Sequence, residues 1–138
     1  MSFDPQSVRG GSPLGDLPGQ IDYRLARNSV ISEFRKGRLS RLDVCDAQAE
    51  LLRAAQNVGE PTGETCPICE EAALVHVSYA FGPRLPPSGT CVSSRRELVR
   101  LTRSTAQVAC YVVEVCPDCR WNHLAKTFVV GGQRARTS

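Results

Sequence analysis

The sequence predicts an α+β fold in which two N-terminal helices precede a three-stranded antiparallel sheet carrying two cysteine turns, with a short helix inserted between strands one and two. Three observations predict it. Apolar residues recur at helical spacing between positions 21 and 58. The stretches 74–81 and 107–115 alternate with the two-residue period of strands, and 124–130 reads as a third strand closed by Gly131 and Gly132. Two tetrads, Cys66-Pro67-Ile68-Cys69 and Cys116-Pro117-Asp118-Cys119, each adjoin one of those stretches.

The first helix follows from Ile21, Leu25, Ile31 and Phe34, which form one stripe before Gly37 stops it. A link through Leu39 and Leu42 leads to Asp46 as the N-cap of the second, where Ala47, Leu51, Ala54, Ala55 and Val58 share a face ahead of Gly59 and Pro61. Residues 59–64 are turn-forming and deliver the chain to the first tetrad. In the first strand Val75, Val77, Tyr79 and Phe81 oppose Leu74, His76, Ser78 and Ala80. Residues 82–93 carry three prolines and two glycines and read as loop, whereas Ser94-Arg95-Arg96-Glu97 has capping-box spacing and starts the inserted helix with its Leu98 and Leu101 edge. In the second strand Val108, Cys110 and Val112 face one way, and Tyr111, Val113 and Val115 the other. The expected organisation is a flexible Gly/Pro/Ser-rich arm at 1–19, a helical part at 20–60, a cysteine-turn domain at 61–132 with its insertion at 82–106, and a mobile tail at 133–138.

A chain of 138 residues with 41% hydrophobic and 22% charged content suits one soluble folded unit. No apolar run approaches the roughly 20 residues that cross a bilayer. Pro5, Gly10, Gly11, Pro13, Gly15 and Pro18 break up any apolar leader, so the expected compartment is the cytoplasm and no membrane partner is expected. A formal net charge of +3 falls short of the footprint of a dedicated nucleic-acid binder and selects no partner.

Seven cysteines in such a chain are poorly explained by disulfides, because reducing compartments disfavour them and an odd count leaves one over. Two Cys-x-x-Cys pairs, each with proline second, instead point to four thiolates on one ion: a structural Zn2+ held by Cys66, Cys69, Cys116 and Cys119. Turn, strand, return strand, second turn and third strand together describe a zinc ribbon with a long insertion. A shell filled by four protein sulfurs leaves no position for water or a small-molecule substrate, which argues for a stabilising ion and against a hydrolase. His123 could serve as a ligand, but four closer thiols complete the shell. Cys45, Cys91 and Cys110 read as buried or incidental thiols rather than a second metal site.

No glycine-rich phosphate loop, nucleophile elbow or His-Glu-x-x-His pair is present, so no catalytic residue is assigned and no enzyme is expected. The cationic run Arg24, Arg27, Arg35, Lys36, Arg38 and Arg41 is opposed only by Glu33 and is a candidate partner-binding face. Arg95, Arg96, Arg100 and Arg103 form a second basic group. Arg120, Trp121, Asn122 and His123 could anchor a partner or stack on a base, although Trp121 equally suits packing over the cysteine turn. An acidic rim of Glu64, Glu70, Glu71 and Asp118 disfavours DNA contact through the turns. The leading expectation is a module docking on a protein or ribonucleoprotein assembly, with RNA polymerase (as a transcription accessory factor) or the ribosome favoured. Direct binding of RNA or DNA and thiol-based redox sensing are the alternatives.

From about Ile21 to Gly131 the chain resembles a family of small actinobacterial proteins catalogued only as a domain of unknown function. The residues that carry the likeness are Asp22-Tyr23, Val44-Cys45-Asp46, Leu51-Leu52-Arg53-Ala54-Ala55, Cys66-Pro67-Ile68-Cys69, Val113-Glu114-Val115-Cys116 and Trp121-Asn122-His123-Leu124. The resemblance implies a cytoplasmic, zinc-ribbon-like protein with a helical N-terminal part and supplies no activity. Residues 1–19 fall outside it.

Overall fold

A computed structural model describes residues 20–104 and 107–131; the expected arm at 1–19 and tail at 133–138 lie outside them. In chain order the elements are β1 (Ile21–Asp22), α1 (Arg24–Arg35), α2 (Arg41–Val44), α3 (Ala49–Val58), β2 (Glu60–Thr65), β3 (Ala73–Phe81), β4 (Thr90–Val92), α4 (Arg95–Ser104), β5 (Gln107–Val115) and β6 (Asn122–Gly131). The α+β class holds, but the sheet is six-stranded and antiparallel, ordered β1-β6-β5-β3-β2, with β4 also pairing β3. The expected three-stranded sheet corresponds to β6, β5 and β3 alone.

The three additional strands have physical reasons for escaping a pattern search. β1 is two residues long and pairs Ile21 with Thr127 and Asp22 with Lys126. β2 reads Glu-Pro-Thr-Gly-Glu-Thr, almost wholly exposed, with a register shift between Pro61 and Thr65 and Gly63 at φ 83. Proline and glycine are tolerated there because an edge strand can forgo some ladder bonds. β4 is a three-residue piece inside the proline-rich loop, pairing Ser78 with Val92 and Ala80 with Thr90.

The chain divides into two compact units. One comprises Tyr23–Val77 and Val113–Ala125; the other takes in Ser78–Val112 with the two ends of the described chain. In the first, α1 starts at Arg24 rather than Ile21, because β1 pairing occupies the preceding residues and the Tyr23 N–H bonds the Ala125 carbonyl at 3.0 Å. Its buried stripe is Val30, Ile31 and Phe34, while Leu25 is 73% exposed, correcting its expected inward place. Gly37 ends the helix at φ 81: its N–H reaches the Phe34 carbonyl and the Arg38 N–H reaches Glu33, the paired bonds of a Schellman stop.

The expected link at 39–45 contains α2, opened by a reciprocal capping box between Ser40 and Asp43. Those bonds from the Ser40 N–H and hydroxyl hold the Asp43 carboxyl below the ordinary carboxylate range. α3 starts two residues later than expected, with Gln48 as its N-cap, and Asp46 accepts from the Asn122 amide instead of capping a helix.

Gly59 closes α3 in ordinary backbone geometry and owes its place to space. A Cβ there would stand 2.3 Å from the Ala55 carbonyl oxygen and 2.7 Å from Val75 Cγ2. Gly59→Ala is therefore expected to destabilise the protein by about 1–3 kcal/mol, read by denaturant unfolding, although alanine is the better residue for chain entropy.

In the second unit Ala80, Val92, Val108, Cys110, Val112 and Phe128 are buried, and Phe81 meets Tyr111 edge to face at 5.2 Å between centroids. The inward set on β5 agrees with the expected Val108, Cys110 and Val112 face. At α4 the Glu97 N–H bonds Ser94 Oγ as the capping box requires, but the Glu97 carboxylate takes the N–H and hydroxyl of Ser93 at 2.8 and 2.9 Å. Those two bonds hold Glu97 below its ordinary range.

Candidate metal centre

Both cysteine turns share two backbone features, a bond back to the first cysteine carbonyl and a left-handed residue after the second cysteine, and differ in how they close. The N–H of Glu70 bonds the Cys66 carbonyl at 3.0 Å, and that of Arg120 bonds the Cys116 carbonyl at 3.1 Å. Cys66 N–H closes on the Ala72 carbonyl, and Cys116 N–H on Trp121, each at 2.8 Å. The residue after each second cysteine is left-handed, Glu70 at φ 59 and Arg120 at φ 77. Such a conformation costs a non-glycine residue roughly 1 kcal/mol, so both turns hold their shape against the local preference of the chain. Amide hydrogens point at sulfur as a result: Ile68 N–H donates to Cys66 Sγ at 3.3 Å and Cys119 N–H to Cys116 Sγ at 3.4 Å.

The two turns bring Cys66, Cys69, Cys116 and Cys119 together with all four sulfurs within 4.8 Å of one another. Cys66 and Cys119 are 3.7 Å apart, and Cys69 and Cys116 3.8 Å. A tetrahedron with metal–sulfur bonds of about 2.3 Å has edges of about 3.8 Å, so these pairs already stand at coordination distance. The donor set fits a metal ion that favours sulfur.

Apolar residues from the helices pack around this centre. Ile31, Val44, Ile68, Leu74 and Trp121 form one buried cluster with Cys66 and Cys116, and Val30, Phe34 and Leu39 border it. The N-terminal helices therefore pack directly on the cysteine turns. Cys45, expected to be isolated, borders the same cluster, and its thiol donates to Cys119 Sγ at 3.5 Å.

Burial pushes the Cys66 thiol well above the ordinary thiol range and Cys119 up to about 12. At Cys69 burial also pushes upward, but the N–H groups of Ala72 and Glu71 and the thiols of Cys116 and Cys66 outweigh it and bring the thiol down to about 7. Only a cation would make thiolates of the whole group at neutral pH. A divalent ion entering the apoprotein is accordingly expected to release several protons, with affinity rising as pH rises and falling in acid. Calorimetric titration in two buffers of different ionisation enthalpy counts them; no buffer dependence would mean that the thiols do not take the ion.

The sequence placed Arg27 on a partner face and assigned Glu114 no role, yet they form an internal pair. Arg27 Nε donates to both Glu114 oxygens at 2.8 and 3.1 Å, and the Trp121 indole N–H donates to Oε2 at 2.7 Å. Trp121 is 1% exposed, so its indole packs under the centre and presents no face to a partner. His123 stacks on it at 6.0 Å and engages the Leu124 carbonyl through Nδ1. Asn122 binds Asp46, and the Arg120 guanidinium reaches the Ala47 carbonyl at 3.4 Å. The outward cationic residues that remain are Arg24 and Arg38, in exposed ion pairs with Glu64 and Glu33, together with exposed Arg35, Lys36 and Arg41. A signal for Glu114 existed: it continues the inward register Val108-Cys110-Val112 as a carboxylate, and a buried carboxylate needs a partner.

Residues 18–138 match the family described as "Family of unknown function (DUF5318)". Among similar proteins are uncharacterized protein Rv0049 of Mycobacterium tuberculosis (strain ATCC 25618 / H37Rv) and uncharacterized protein Mb0050 of Mycobacterium bovis (strain ATCC BAA-935 / AF2122/97). Each is 41% identical over 114 residues, covering 83% of either chain. No solved structure matches. The chain belongs to this family, whose relatives here are mycobacterial.

Proposed function

We propose that this member of the family is a non-catalytic zinc-binding module that docks on a larger macromolecular assembly. The observation that supports it is the cluster of four sulfurs within 4.8 Å of one another, enough to fill a tetrahedral shell with protein ligands alone. An ion held there has no open position for substrate or water, so its contribution is to folding: it fixes the two turns and the helices packed on them. Zinc is the ion of choice because a four-thiolate shell in a reducing cytoplasm suits a metal with no redox chemistry. Among the described residues no helix is long and apolar enough to cross a membrane.

The outward surface of α1 and α2 supports docking on a protein or ribonucleoprotein surface. Leu42 is 86% and Leu25 73% exposed, in segments that also carry exposed Arg24, Arg35, Lys36, Arg38 and Arg41. Large apolar side chains beside guanidinium groups are what protein interfaces enrich. RNA polymerase and the ribosome are the machines we favour, because small four-cysteine zinc modules recur in both; the support is analogy.

Affinity purification of the tagged protein at low salt from its own cells, with and without nuclease, followed by mass spectrometry and metal analysis, tests the reading. Stoichiometric polymerase or ribosomal subunits that survive nuclease, with one zinc per chain, are expected. Recovery of nucleic acid alone would overturn the docking reading. Iron in place of zinc would overturn the assigned ion.

A further inference from the structure

Cys45 stands outside the four-sulfur set, yet its thiol lies 3.5 Å from Cys119 Sγ, closer than the sulfurs of Cys66 and Cys119 lie to each other. It is held there deliberately by local structure: Cys45 is the residue that closes α2, and its N–H bonds the Arg41 carbonyl at 2.7 Å. The reciprocal Ser40–Asp43 box fixes the other end of that short helix, and buried Val44 anchors it in the cluster. Cys45 and Cys119 are both partly exposed, whereas Cys66 and Cys116 are fully buried. A small solute can therefore reach the one pair of neighbouring sulfurs made of a ligand and a non-ligand.

We propose that Cys45 is the resolving thiol of the metal centre, which a hydroperoxide links to Cys119 as a disulfide, withdrawing one ligand and releasing the ion. The inference rests on the metal reading above and extends it to a modification site. Cys119, bound as thiolate, is the nucleophile: its sulfur attacks a peroxide oxygen, the O–O bond breaks, hydroxide leaves, and the sulfur, oxidised by two electrons, becomes a sulfenic acid. Cys45 sulfur then attacks that sulfur; its S–H proton joins the departing hydroxyl as water, and the S–S bond forms. One thiolate, one thiol and one peroxide have become a disulfide, a water and a hydroxide. Three thiolates remain for the ion, one short of a closed shell. The two sulfurs need approach by only about 1.5 Å, since a disulfide bond is about 2.05 Å long. A thiol reductant reverses the step.

The test uses the metal-loaded full chain and its Cys45→Ser variant, in which a hydroxyl of similar size keeps the donated bond. Metal content is measured first, then release under equimolar hydrogen peroxide with a chromogenic chelator, and then disulfide positions by peptide mapping. Wild type is expected to release its ion with a Cys45–Cys119 crosslink that dithiothreitol removes, and Cys45→Ser to release it about tenfold more slowly, its oxidised sulfur left to advance to irreversible forms. Equal release rates in the two proteins, or linkage confined to Cys66–Cys69 and Cys116–Cys119, would overturn the proposal with the metal reading intact. Wild-type protein that takes up no ion before oxidation would overturn both.

Discussion

Cys116→Ser is expected to lose the metal ion and, with it, the fold of the unit that carries the centre. Cys116 is fully buried, and its sulfur accepts the Cys119 N–H and stands 3.8 Å from that of Cys69. Structural zinc in four-ligand sites contributes about 10–16 kcal/mol of apparent binding energy, and a quarter of that is about 2.5–4 kcal/mol. A serine hydroxyl is a poor zinc ligand at neutral pH, and left in the buried cluster without the ion it adds a desolvation cost of about 1–3 kcal/mol. The sum is a large part of the roughly 5–15 kcal/mol that holds a domain folded.

The midpoint of thermal unfolding should fall by on the order of 15 °C or more. Excess chelator should lower wild type in the same way and leave the variant almost unmoved, because the variant has no ion to lose. Cys110→Ala supplies the control: Cys110 is as buried, burial lifts its thiol to about 11, and its sulfur is not among the four. That variant should keep a full complement of metal. A Cys116→Ser protein that retained one ion per chain and melted near wild type would refute the centre.

The four candidate ligands were legible because ligand chemistry imposes spacing. Two thiols reach one ion from a single turn when only a few residues separate them, most often two, and no packing rule generates Cys-Pro-x-Cys twice. β3 and β5 were legible for a related reason, since eight or nine residues of alternating pattern leave few other readings, while β6 was read from its apolar run 124–130 before Gly131 and Gly132. What could not be read was structure decided by neighbours distant in sequence. Ile21 belongs to an amphipathic pattern until β6 offers it a ladder, and Leu25 shows that one apolar residue at helical spacing fixes no face. β2 carries no strand signal of its own and is a strand because β3 has an edge to fill. Cys45 illustrates the same limit: 74 residues separate it from Cys119, and nothing local announces their contact.

Charge is the second source of difference. Arg27 was indistinguishable in sequence from Arg24 or Arg35, yet only 13% of its side chain is exposed because its helical phase points it at Glu114. The basic run is thus two populations, one internal cation and several outward ones, and only the outward members are available for docking.

That distinction yields the second large effect. Glu114→Ala is expected to cost about 3–5 kcal/mol, the loss that follows when one partner of a buried ion pair is removed and the other is left without compensation. The carboxylate is nearly fully buried and holds two elements at once: the guanidinium of Arg27 on α1 and the indole of Trp121 beside the second cysteine turn. The Glu64 carboxylate lies 3.9 Å from Arg27 and is half exposed, too distant and too well hydrated to take over. Glu114→Gln should be milder, about 1–3 kcal/mol, because an amide oxygen still accepts one bond while the charge assistance is lost. Combining Arg27→Met with Glu114→Ala should cost less than the two single changes added together, since neither ion is then left stranded. Trp121 is the only tryptophan, so its fluorescence reports the site directly, and red-shifted emission in Glu114→Ala at saturating zinc would show the indole meeting water. Additive losses in the double variant, or a Glu114→Ala cost below about 1 kcal/mol, would mean that the carboxylate does not organise the packing beneath the metal centre.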